Sequence, residues 1–211
     1  MMFYFIFIAF FPMICNSLRT TIPTDFAKKT SVTSRRSFLA GGAAIISAVA
    51  APAFAAEGSY SKSGSDYSYS FQPPEDMETS TKPLKTHLDE VNFLSSTLKG
   101  YQYGITVDPV RINSLSEFGT PEEVAARVVT AEVNRDGVFD VTLVKDPIID
   151  EASGSYVLNY LSKGKRGDKH FVCKISVVKQ KLYVLTAQVK EENYVGMEKE
   201  LLAVMGTFIV K

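Results

Sequence analysis

Tryptophan is absent from this chain, and histidine and cysteine occur only twice each. The missing residues remove whole classes of chemistry. Two histidines and two cysteines provide no His-Glu-x-x-His, no paired Cys-x-x-Cys and no Cys/His nucleophile array. No glycine-rich phosphate loop and no Gly-x-Ser-x-Gly elbow is present either. An enzyme would need a nucleophile or base constellation, and the sequence supplies none. Cys15 lies in an N-terminal apolar stretch that reads as a removable signal, which leaves Cys173 alone and excludes an intrachain disulfide. Cys173 sits in an alternating apolar pattern and reads as a buried, inert thiol. Long apolar runs are missing as well. Met2–Ile14 and Ala40–Ala51 both fall short of the roughly 20 residues a membrane span needs.

Charge is balanced overall, but not along the chain. Residues 1–55 hold five Lys/Arg (Arg19, Lys28, Lys29, Arg35, Arg36) and one acid, Asp25. The rest carries 18 basic and 22 acidic groups, a net of −4. A basic leader on an acidic body reads as targeting and argues against nucleic acid as partner. The leader divides into two parts. Residues 1–17 read as an endomembrane signal peptide. Residues 18–55 read as a Ser/Thr/Lys/Arg-rich plastid transit region followed by a twin-arginine thylakoid signal. In the latter, Arg35-Arg36 precede a Gly/Ala/Ile stretch, Pro52, and the small residues Ala53 and Ala55 of a cleavage site. The competing reading is a weak anchor helix over Phe38–Ala55; the flanks and the Ala-x-Ala end fit processing better.

Residues 56–66, rich in Gly and Ser, predict a flexible linker, and 67–211 a single domain. Tyr67, Tyr69 and Phe71 alternate up to Pro73-Pro74; Val91 and Phe93, then Tyr101, Tyr103, Ile105 and Val107, give two more strands. Thr120-Pro121-Glu122-Glu123 predicts a helix N-terminus with a capping box, and Arg135-Asp136-Gly137 its end. Runs at 139–144, 156–161, 170–178 and 182–189 read as a meander. Leu182–Leu185 hardly alternates, which suits a central strand covered on both faces. Tyr194, Met197, Leu201, Leu202 and Met205 predict a terminal helix with Gly206 as its C-cap, then a strand over 207–210. The class is α+β, an antiparallel sheet sandwiched between helices.

Three groups of side chains are candidates for function. His87 with Asp89, and Asp168 with His170, stand two residues apart; in a strand that spacing puts both groups on one face, where each pair can offer two ligands to a cation. Asp146, Asp150 and Glu151 form an acidic loop that reads as either a loose oxygen site for calcium or a solvated turn. Lys163, Lys165, Arg166 and Lys169 make one dense cationic hairpin, read either as a solubilising turn or as a docking site for acidic loops of a membrane complex.

Ordered blocks across residues 66–211 carry a family resemblance. They include Tyr67-Ser-Tyr-Ser-Phe-Gln-Pro73, Lys85-Thr-His-Leu-Asp-Glu-Val-Asn-Phe93, Gly104-Ile-Thr-Val-Asp-Pro109 and Phe118-Gly-Thr-Pro-Glu-Glu-Val124. Arg135-Asp-Gly-Val-Phe-Asp140, Gly164-Lys-Arg-Gly-Asp-Lys-His170 and Lys181-Leu-Tyr-Val-Leu-Thr-Ala-Gln188 complete the set. The chain resembles PsbP-like proteins. The resemblance implies the PsbP fold and a non-enzymatic extrinsic protein of the thylakoid lumen, peripheral to the membrane. Its partner would be the photosystem II core or other extrinsic subunits, with no nucleic acid and with calcium as the cofactor associated with the family. A substoichiometric assembly factor of the same family is the alternative, and a nuclear Ran-binding protein of the same fold is opposed by the leader. Two features depart from the family pattern: Pro74-Glu75-Asp76-Met77 stands where a Pro-x-x-Trp is usual, and the segment before the first strand is short.

Overall fold

The computed structural model describes residues 58–81 and 87–211. Among them ten strands and two α-helices form in the order β1 (Tyr60–Ser63), β2 (Ser68–Phe71), β3 (Met77–Thr81), β4 (Asp89–Ser95), β5 (Gln102–Pro109), α1 (Pro121–Val133), β6 (Val138–Asp150), β7 (Ser155–Gly164), β8 (Lys169–Val178), β9 (Lys181–Lys190), α2 (Glu191–Thr207) and β10 (Ile209–Val210). Seven strands build one antiparallel sheet, ordered β3-β4-β5-β9-β8-β7-β6, and β1-β2-β10 a smaller one.

Period-two alternation decides where the core lies. Val91 and Phe93 of β4, Tyr103, Ile105 and Val107 of β5, Val172 of β8, and Tyr183, Leu185, Ala187 and Val189 of β9 are buried in one cluster. Tyr194, Leu201, Val204 and Met205 of α2 close this side together with Tyr69 and Phe71 of the small sheet. The intervening residues supply the opposite face, where Ser162 of β7 bonds Glu132 of α1 and Tyr156 bonds the Gly119 carbonyl. The sheet is therefore sandwiched between helices, as the pattern predicts. β9 is central and buried along almost its whole length, as its unalternating sequence requires.

Four differences from the sequence reading have physical causes. The Gly/Ser-rich linker carries β1, because Tyr60 packs edge-on against Phe93 at 4.9 Å and against Phe71 at 6.1 Å. β3 follows the Pro73-Pro74 break and runs antiparallel to β4; its sequence, Met-Glu-Thr-Ser-Thr, has no apolar face to announce it. β6 continues through Asp146-Pro147 to Asp150 because register shifts at Leu143/Lys145 and Lys145/Ile148 absorb the proline. Gly206 lies inside α2, which ends at Thr207 with Phe208 as C-cap.

Candidate functional site: the cationic end

Two turns far apart in sequence meet at one end of the sheet. α1 ends in Arg135-Asp136-Gly137, where Gly137 adopts φ +83°, a left-handed conformation that glycine takes without strain. The β7–β8 hairpin lies directly against it, with the Lys165 N–H donating to the Gly137 carbonyl at 2.8 Å. A Cβ on Gly164 would sit 2.6 Å from that same carbonyl oxygen, so this approach needs glycine. On the other flank the Glu191 N–H, at the start of α2, donates to the Asp168 carbonyl at 3.1 Å. The hairpin is thus held by backbone bonds on two sides, and its charges are presented from a fixed frame.

The four cations read from sequence are not equivalent. Lys163 forms an exposed ion pair with Asp140 at 3.3 Å. Lys165 and Arg166 are exposed and make no ion pair among the described residues. Lys169 is half-buried, and its ammonium is pushed below the usual lysine range, first by burial and then by Arg135 and Arg166. Arg135, which in sequence reads only as the end of a helix 30 residues before Lys165, belongs to the same cluster. Its guanidinium donates to Glu132 at 2.7 Å. The Glu132 carboxylate is buried and also accepts from Ser162 at 3.0 Å. The cluster therefore stands on one buried counter-charge, with Lys165 and Arg166 outermost.

His87, Asp89 and His170 each bond other partners. His87 lies just before β4, outside the strand, so the two-residue rule does not apply to it; its Nδ1 meets Asp108 at 2.9 Å. Burial raises the Asp108 carboxyl above the ordinary value of 3.8, against the opposing pull of His87. Asp89 accepts from Lys62 at 2.5 Å and from the Tyr69 hydroxyl at 2.6 Å. Asp168 is an exposed turn residue, whereas His170 is buried in β8. The His170 Nδ1 meets Glu191 at 2.7 Å and its Nε2 meets the Asn159 side-chain oxygen. The ring stacks flat on Tyr194, 3.2 Å between centroids. Glu191 and Asn159, 21 and 11 residues away, could only have been found as its partners from the fold.

The acidic loop does not converge on a cation. Asp150 bonds Lys174 at 2.8 Å and Ser153 at 2.7 Å, and these contacts hold its carboxyl below the usual range. Asp146 and Glu151 are exposed. Among the described residues no group of three or more His, Cys, Asp or Glu is placed to hold a metal. Arg35, Arg36, Ala53 and Ala55 lie outside the described residues, as do the leader segments 1–17 and 18–55.

The PsbP family model matches residues 59–210, the sheet, both helices and the cationic end together. The chain belongs to the PsbP family. In structure it is similar to cyanobacterial PsbP (CyanoP) from Synechocystis sp. PCC 6803, with TM-score 0.61 and 15% identity over 76% of this chain and 97% of that one. A protein of unknown function from Pseudomonas aeruginosa, PA94, a putative regulator by its description, gives TM-score 0.42 and 12% identity over 72% and 96%. No curated protein matches the chain in sequence. Membership in the PsbP family, whose members are non-enzymatic, supports a photosystem II-associated role and a location in the thylakoid lumen or at the photosynthetic membrane. No described helix is long and apolar enough to cross a membrane.

Proposed function

We propose that this PsbP-family protein is an extrinsic protein of the thylakoid lumen that supports the oxygen-evolving complex by docking on photosystem II through its cationic end. The observation that carries the reading is the junction of the β7–β8 hairpin with the α1–β6 turn. It fixes Lys165 and Arg166, exposed and without ion pairs among the described residues, beside Arg135 and Lys169. The body behind it is net acidic, so attraction to acidic luminal loops must be local, and this end supplies it. Lys163 contributes less than its neighbours, because Asp140 already offsets its charge.

The test is rebinding of purified protein to salt-washed thylakoids across a salt series. Replacing Lys163, Lys165 and Arg166 with Ser weakens binding roughly tenfold and flattens its salt dependence, with unchanged circular dichroism. Unchanged rebinding would return the hairpin to a solubilising turn. Quantitative mass spectrometry of isolated complexes then separates a subunit, present near one-to-one, from an assembly factor, present in traces.

A further inference from the structure

β6 is the outer strand of the large sheet, bonded to β7 on one side and with no strand beyond it among the described residues. Such an edge offers unpaired N–H and C=O groups to another chain, and most edges are blunted by polar side chains. β3, at the opposite edge, follows that rule and exposes no large apolar side chain among the described residues. β6 instead exposes Phe139, Leu143, Val144, Ile148 and Ile149. Cross-strand partners share a face of the sheet, which sorts the strand into two rows. Val141 stands opposite Ser162, and Leu143 opposite Tyr160. Ser162 bonds Glu132 of α1, so Val141 and Leu143 lie on the α1 face. Asp140 and Lys163, one step along, lie on the α2 face, as does Lys145, which bonds Glu198 of α2. At its start the same edge runs into the cationic end, where Val138 stands opposite Gly164, next to Lys165 and Arg166.

We infer that Val138–Val144 is a strand-addition site for a short extended segment of the docking partner, with acidic and apolar side chains at alternate positions. It rests on docking through the cationic end, proposed above, and adds the chemistry of the segment that docks. Alternation matches the two rows of β6. Apolar side chains of an added strand continue the row of Val141 and Leu143 on the α1 face. Acidic ones fall on the α2 face, the side of Lys163 and Lys145, and the strand ends beside the exposed Lys165 and Arg166. Main-chain bonds to the open edge supply the affinity, and the alternate side chains the selectivity. Length follows from the register. Asp140–Leu143 pair with β7 without a break, and shifts at Val138/Asp140 and Leu143/Lys145 bound that stretch on both sides. A partner strand of about four to six residues fits it. A second β6 fits less well, because Pro147 and the register shifts deny the long ladder that two such strands would need.

The experiment is a nuclear magnetic resonance titration of the isotope-labelled protein with a capped peptide of alternating Asp and Val, about ten residues long. The peptide shifts the amide signals of Val138–Val144 together with those of Lys165 and Arg166, and the shifts saturate. Methylating every peptide nitrogen keeps the charges and side chains but removes the main-chain donors, and it weakens binding at least about tenfold. Leu143→Asp, a change at an exposed position, weakens binding of the unmodified peptide as well, with circular dichroism as the folding control. Equal binding of the methylated peptide, or shifts confined to Lys165 and Arg166, would overturn strand addition and leave docking by charge in place. Absence of any binding overturns it too. Broadening of the β6 signals with protein concentration alone, with no effect of peptide, would assign the edge to a second copy instead. Docking itself is read by thylakoid rebinding of the triple Ser variant, so failure of one reading is distinguishable from failure of the other.

Discussion

At the two-residue turn between β8 and β9, Lys179 and Gln180 both adopt positive φ, 50° and 58°. Tight hairpins demand this geometry, and side chains other than Gly, Asn and Asp adopt it at a cost. Replacing Lys179-Gln180 with Asn-Gly raises stability by about 1 kcal/mol, read as a higher urea midpoint at unchanged slope. The Val110 N–H bond to the Gln180 carbonyl is a backbone contact and survives the change. His170 gives a second prediction at the same scale. Burial holds its imidazole below the ordinary 6.5, and Glu191, the strongest opposing influence, pulls the other way. Both ring nitrogens face oxygen atoms, an arrangement that suits a charged ring. Desolvation wins because the Glu191 side chain is 40% exposed and shares its charge with water. The unfolded chain therefore binds this proton more readily than the folded one, so stability rises with pH across this window. The contribution is complete above about pH 6.5 and is lost as pH falls through the ordinary value toward the depressed one. Urea midpoints between pH 7.5 and 5.5 fall less steeply for His170→Gln than for wild type.

Among the elements, α1 shows what local chemistry can announce. The Glu123 N–H donates to Thr120 Oγ1 at 3.3 Å, and Glu123 Oε2 accepts from the Thr120 N–H at 3.0 Å. Gly119 permits this, since a Cβ there would lie 2.5 Å from the Glu123 carboxylate. Thr120→Ala costs about 1 kcal/mol, measured by thermal or urea unfolding. Thr120-Pro121-Glu122-Glu123 makes the helix legible in the sequence, as the unbroken apolar run does for β9. β1 and β3 were illegible for the opposite reason: one depends on Tyr60 reaching Phe93 across the domain, and the other is a polar edge. The hairpin cations were visible as a run, but Arg135 joins them only when Lys165 bonds Gly137. The two-residue rule does not reach the histidine pairs, because His87 stands two residues before β4 and Asp168 one before β8. β6 combines an edge position with exposed Phe139, Leu143, Val144, Ile148 and Ile149, a pattern prone to edge-to-edge association. Pro147 and the register shifts interrupt that edge. Pro147→Val returns a backbone N–H to that strand, and the variant associates with rising concentration in light scattering, whereas wild type does not.

For the described residues as a whole, the decisive contacts join the C-terminal segment to β2. β10 pairs with β2, Ile209 opposite Ser70 and Val210 opposite Tyr69, and the Lys211 N–H donates to the Ser68 carbonyl at 3.0 Å. Phe208 is buried at 2% exposure and lies 6.3 Å from the Tyr69 ring. The Phe208 carbonyl also accepts from Lys174 at 3.4 Å, tying the same point to β8. The Thr207 hydroxyl accepts from the Gln72 N–H at 3.0 Å, 135 residues away in sequence. The last residues therefore act as a clasp on the small sheet, which in turn covers the main core. Such long-range closure is costly in chain entropy and comes late in folding. A chain ending at Thr207 loses one fully buried phenylalanine and one of the two partners of β2. The first loss alone costs about 3–5 kcal/mol. Because β2 carries Tyr69 and Phe71 into the shared core, the effect is not confined to the terminus. Hydrogen exchange in the truncated protein quickens across β1 and β2 first, while β8 and β9 stay protected until global unfolding. Restoring Phe208 alone, in a chain ending there, recovers most of the stability but not the protection of the β2 amides that β10 covers. Wild-type protection of those β2 amides in the chain ending at Phe208 would show that the strand pairing adds nothing to the clasp.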